Sequence, residues 1–224
     1  MTGAIYSGWG EYLSPLLDGL KTSLSLAGAS LALGLPIGLL LALAVAAPLR
    51  PLRLVCIVLV EIGRAVPALV LLQLAYYGLP SIELTLTSFV AGTAGLTWIT
   101  ATYSSEIFRA GIASVPEGQR EASAALGVGV SDTYRTIIIP QGVRVALPAL
   151  LGLAIQVFQG TALAFTIALP ELLSAAYDIG NETFRFLSVL TLAGLMYVAI
   201  VIPAGIIVRH VEIRMGKHLS PELR

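Results

Sequence analysis

The amino-acid sequence predicts an all-α integral membrane protein with about five transmembrane helices, and three observations carry that prediction. Of its 224 residues, 57% are hydrophobic and 12% charged, with a mean hydropathy of +0.89. That balance lies outside the range of soluble domains. Residues 22–49 and 145–169 contain no charge at all, and each run exceeds the roughly 20 residues a helix needs to cross the hydrocarbon. The basic residues gather at one set of span ends, as the positive-inside rule requires of a multi-span chain.

The elements follow in order. Over 1–21, Ile5, Trp9, Tyr12, Leu13, Leu16, Leu17 and Leu20 recur at helical spacing, with Glu11 and Asp18 off the stripe. This predicts an amphipathic helix on the outer membrane surface, with Tyr6, Trp9 and Tyr12 at headgroup level. The first basic residue is Lys21, so the positive opening of a cleaved signal peptide is missing and the segment is expected to remain. The spans are predicted at about 22–47, 54–77, 86–104, 145–169 and 186–208. Gly34 and Gly38 in the first invite close approach of a second helix, and Pro36 between them invites a kink. The second carries Glu61, Arg64 and Pro67. The fourth is the most polar of the long uncharged runs, with Gln156, Gln159, Thr161 and Thr166. Residues 170–184 read as a polar loop.

Between the third and fourth spans, the stretch 110–141 predicts a helical hairpin. Ser114 and Glu117 have capping-box spacing, and Pro116 suits a first turn. The helix runs through Glu117, Arg120, Glu121, Ala122, Ala125 and Leu126 and closes at Gly127, which tolerates the left-handed conformation. Ser131 and Asp132 are expected to cap a second short helix ending before Pro140. With the hairpin inside, five spans put the N-terminus outside and the C-terminus in the cytoplasm. Arg50, Arg53, Arg109, Arg120, Arg135, Arg144, Arg209, Arg214, Lys217 and Arg224 then lie inside, against Lys21 and Arg185 outside. The hairpin either docks on another protein or packs on its own spans. Its alanines offer too little apolar area to hold a lipid surface, which favours a protein groove.

Several chemistries are disfavoured. Basic and acidic residues balance at 13 each, so bulk charge points to no nucleic acid. The single Cys56 excludes an intrachain disulfide, and His210 and His218 make no metal site without further ligands. A GxxxxGK[ST] phosphate loop is absent, so energy is expected from another chain. Both histidines lie at or beyond the end of the last span, which disfavours an intramembrane hydrolase. An ion-coupled secondary carrier of similar solutes stays as an alternative, though no inverted repeat is visible. A non-transporting membrane scaffold is a further rival.

The run from Glu121 through Ala122, Ser123, Ala124, Ala125 and Leu126 to Gly127, followed by Ile137 to Gln141, resembles the EAA loop of ABC importer permeases. Glu106-Ile107-Phe108-Arg109, Val115-Pro116-Glu117-Gly118-Gln119, Arg144 and Pro148, Glu61 to Pro67, and Leu169 to Leu173 resemble the polar amino acid uptake family more narrowly. The resemblance implies a type I permease fold and a non-catalytic subunit of a binding-protein-dependent importer in a bacterial plasma (inner) membrane. It implies a second permease half, with a heterodimer favoured, an extracytoplasmic solute-binding protein, and a cytoplasmic ATPase dimer that holds ATP and Mg. This chain then needs no cofactor of its own. The coupling residues it implies are Glu117, Arg120, Glu121, Ala122, Ala125, Leu126 and Gly127, with Ala122, Ala125 and Leu126 forming the face buried at the partner. Candidates for the substrate pathway are Glu61, Arg64, Gln159 and Thr161, and the Glu61–Arg64 pair also reads as a structural ion pair. Span four departs from the family where charged residues are usual, having Gln159-Gly160-Thr161. A charged solute needs compensating charge in the membrane, so a zwitterionic amino acid or compact analogue is expected.

Overall fold

The computed structural model describes residues 8–219, and among them every regular element is helical. The helices are α1 (Trp9–Val45), α2 (Arg50–Ala65), α3 (Ala68–Gln73), α4 (Ser88–Ala113), α5 (Glu117–Ala125), α6 (Val130–Thr133), α7 (Ile139–Gly160), α8 (Leu172–Thr183) and α9 (Phe186–Leu219). Three runs are long and apolar enough to cross a membrane as they stand: Trp9–Val45, Val130–Ile167 and Phe186–Met215. A fourth span forms if α2 and the helical stretch Ala68–Ile82 are taken together, although the two are bent by 102°. α4, with 26 residues, is long enough for the expected fifth span but falls short of the others in apolarity. It is less apolar because it is enclosed: α1 and α7 pack on it more than on any other element, and it buries Thr100, Thr102, Ser104 and Ser105.

The small residues of α1 explain that central packing. A Cβ at Gly34 would stand 3.0 Å from the Thr97 carbonyl, and one at Gly38 would stand 2.7 Å from the Ala101 carbonyl. Backbone therefore meets backbone along the α1–α4 seam, the geometry small residues permit in membranes. The threonines and serines of α4 spend their hydroxyls locally, as Thr100 donates to the Leu96 carbonyl at 2.7 Å and Ser105 to Thr102 at 2.8 Å.

Several elements differ from the sequence prediction. The expected surface segment and first span form one unbroken helix of about 55 Å. Part of its early stripe packs on protein: Tyr12 and Leu16 join Leu172, Ala176 and Val189 in one buried cluster, and the Trp9 indole donates to Ser188 at 3.0 Å, while Leu13 and Leu17 stay exposed. Ile5, Tyr6 and Arg224 lie outside the described residues, and the side chains of Lys217 and His218 outside the described side chains. The second span breaks at Val66 and Pro67, where both residues turn extended. Residues 172–183, read as loop, are α8.

Candidate functional site

At the hairpin end, α5 begins after Pro116 with no side-chain cap. Ser114 does not form the expected capping box, because its hydroxyl donates back to the Gly111 carbonyl at 2.7 Å. The α5 end is as expected. Gly127 takes φ +73, its N–H reaches the Ala124 carbonyl at 3.0 Å, and the Val128 N–H reaches that of Ser123 at 3.0 Å, a Schellman closure. Ser131 and Asp132 cap nothing; they lie within α6, whose preceding residue is Gly129. Nor does a helix end before Pro140. A π-helical turn, Tyr134–Ile138, carries α6 into α7 without a break. The shifted hydrogen-bond register accommodates a proline that cannot donate and crowds the preceding turn.

The hairpin is barely covered by the rest of the chain. Ser123 is the buried residue of α5, and Arg120 braces the helix by pairing with Glu117 at 2.6 Å and lying 5.8 Å from the Tyr134 ring centroid. Glu121, Ala122 and Ala125 face outward, and Leu126 and Val130 are 82% and 76% exposed. Apolar side chains thus stand bare beside a polar helix at this end of the molecule.

Deeper in the bundle, the corner between α2 and α3 opens into a cavity of about 290 Å³. Arg64, Pro67, Leu96, Tyr103, Gln156 and Gly160 are among the residues that line it. Arg64 sits in the last turn of α2, pairs with Glu61 at 3.3 Å, and its carbonyl accepts from the Tyr103 hydroxyl at 3.4 Å. Of the four pathway candidates, the structure places Arg64 on the cavity wall, and Glu61, its exposed partner, is not among the lining residues. Thr161 is fully buried and donates to the Phe158 carbonyl at 2.7 Å, and neither it nor Gln159 is among the lining residues. Gln156 and Tyr103 are the polar side chains the sequence reading missed. The signal for Gln156 was its place one turn before Gly160, on the same helix face.

At the end away from the hairpin, Glu171 is fully buried. It accepts from the backbone N–H groups of Leu173 (2.9 Å) and Ser174 (2.8 Å), capping α8, and from the hydroxyls of Ser23 on α1 (3.2 Å) and Tyr197 on α9 (3.3 Å). Desolvation pushes its carboxyl above the ordinary value against these four donors. Three helices are thus tied at one side chain.

The chain is thus a helical membrane bundle with an uncovered hairpin at one end and an open cavity at the α2–α3 corner. The chain matches the binding-protein-dependent transport system inner membrane component family over residues 34–217, and it belongs to that family. It is 35% identical over 185 residues to the probable amino-acid ABC transporter permease protein YckA of Bacillus subtilis (strain 168), covering 83% of this chain and 82% of that one. With the arginine transport system permease protein ArtQ of the same organism it shares 31% over 198 residues, covering 88% and 90%. Among solved structures it resembles a chain of an amino acid ABC transporter crystallised with histidines, at a TM-score of 0.88 and 29% identity, covering 93% of this chain and 98% of that one.

Proposed function

We propose that this chain is one permease half of an ATP-driven importer for a polar amino acid or amino-acid-like solute, coupled through its hairpin to a separate ATPase. The observation that carries the reading is the hairpin: Leu126 at the end of α5 and Val130 at the start of α6 are 82% and 76% exposed, and α6 runs through the π-helical turn into α7, which lines the cavity. A push on α5 passes by packing to α6 and the π-helical turn, and from there through continuous helix to the cavity wall, since packed interfaces transmit such motion as rigid-body shifts. Glu121 meets the ATPase, Gly127 sets the turn, and Ala122, Ala125 and Leu126 enter the ATPase groove, with Glu117 and Arg120 holding the helix in shape. ATP and Mg are held by that partner.

The hairpin faces the cytoplasm, the N-terminus the outside and the C-terminus the cytoplasm, in a bacterial plasma membrane. A solute-binding protein delivers from outside, and a second, non-identical permease half closes the cavity on the side of Arg64 and Tyr103. The cavity chemistry suits a zwitterion: Arg64 faces a carboxylate, Glu61 tempers its charge, and Gln156 supplies a neutral donor and acceptor. Uptake by the reconstituted complex tests the reading. Import that needs ATP hydrolysis and survives an ionophore is expected. Import that persists without the ATPase and collapses with the ionophore overturns it in favour of an ion-coupled carrier.

A further inference from the structure

At the end of α7, Gly160 lines the cavity and the chain continues from there towards Glu171. After Gly160 the chain tightens into a 3-10 helix, Thr161–Ile167, which ends at Ala168 with φ +56. Such helices hold their hydrogen bonds in poorer geometry than α-helices, and an alanine in the left-handed region adds local strain. Across a seam from it stands the π-helical turn Leu74–Gly78, which is also irregular. A buried apolar layer that includes Leu26, Leu72, Ala91, Leu96, Ala164 and Ile167 fills the space between these segments and α1 and α4. The cavity meets α4 at Leu96, Ile99 and Tyr103, whereas the layer meets it at Ala91 and Leu96. The layer is therefore the next stratum away from the hairpin, and with Leu72, Ala164 and Ile167 fully buried it excludes water.

The 3-10 segment is held in two unlike ways. Beyond its end, Glu171 is buried and bonded to α1, α8 and α9. On the seam, among the described residues, one hydrogen bond crosses: the Tyr77 hydroxyl donates to the Thr166 carbonyl at 3.1 Å, and Tyr77 is 60% exposed. Breaking one neutral bond at an exposed side chain costs less than stripping partners from a buried carboxylate, which leaves several groups unsatisfied.

We propose that residues 161–167 form the outer lid of this permease half, anchored at Glu171 and latched by Tyr77, so that outward opening parts the seam at the Tyr77–Thr166 bond and leaves the anchor intact. The proposal rests on reading the chain as an importer half with its hairpin inside. The test uses the complex of permease halves, ATPase and binding protein in proteoliposomes, with Cys56→Ser and Ala164→Cys, and a membrane-impermeant maleimide applied from outside. Ala164→Cys is expected to be protected without nucleotide and to lose protection with a non-hydrolysable ATP analogue. Adding Tyr77→Phe is expected to raise the nucleotide-free labelling rate about 2- to 10-fold, the worth of one neutral hydrogen bond. Labelling indifferent to both nucleotide and Tyr77→Phe overturns the lid. Should Ala164→Cys fail to assemble, basal ATP hydrolysis of Tyr77→Phe alone is read: a rise of about the same factor is expected, and an unchanged rate overturns the latch. Leu126→Cys on the hairpin keeps the underlying reading separate. Its labelling from outside, or a wild-type complex without ATP-driven uptake, defeats the importer assignment rather than the lid alone.

Discussion

α5 and α8 are both short helices that join longer ones, and both carry a polar face, yet the protein treats them in opposite ways. α8 buries Leu172, Ala176, Ile179 and Gly180 and is capped by a carboxylate that also binds α1 and α9. α5 buries Ser123 and leaves Leu126 bare. Each ends in a left-handed residue, Gly127 after α5 and Phe184 after α8. α8 is therefore built into the fold, whereas α5 is left largely uncovered by the rest of the chain.

That contrast can be broken by substitution. Glu171→Ala removes the acceptor of two backbone and two hydroxyl donors. It should destabilise the permease by about 3 kcal/mol or more, from the lost cap and the buried donors left unpaired, read as a fall in unfolding temperature in detergent. Gly38→Ala places a methyl 2.7 Å from the Ala101 carbonyl. Forcing α1 from α4 should cost about 1–3 kcal/mol in the same assay. On the other side of the contrast, Leu126→Ala and Glu121→Ala should change unfolding by less than about 0.5 kcal/mol. They should nonetheless weaken ATPase co-purification about tenfold, as truncation at an interface hot spot does. Gln156→Leu sharpens the picture further. It should leave both stability and ATPase binding within about 0.5 kcal/mol of wild type and lower uptake alone. An α5 substitution that unfolds the chain, or a Glu171 substitution that leaves it stable, would erase the distinction.

Much of this was legible in the sequence. Uncharged runs located α1, α7 and α9 because hydrocarbon tolerates little else, and Gly34, Gly38 and Gly127 stand where close approach and a left-handed turn were expected. α8 was hidden because Asp178, Asn181 and Glu182 make its exposed face look like a loop, although Leu172, Ala176 and Ile179 already followed helical spacing. Pro67 signalled a break, but the 102° bend depends on what α3 packs against, namely α4 and residues 161–167. The cavity residues were the least legible. Gln156 and Gln159 are equivalent by composition, and three positions on a helix rotate the side chain to another direction, so only the neighbouring helices decide which one reaches the cavity.

The central claim is that the hairpin transmits force without supporting the fold, and one comparison tests it most directly. Substrate-stimulated ATP hydrolysis by the reconstituted complex is measured for wild type and Leu126→Ala, alongside the unfolding temperature of each. The account predicts that stimulation collapses in Leu126→Ala while the unfolding temperature stays put. Full stimulation in that variant would contradict it, as would a loss of stimulation that merely follows an unfolded permease.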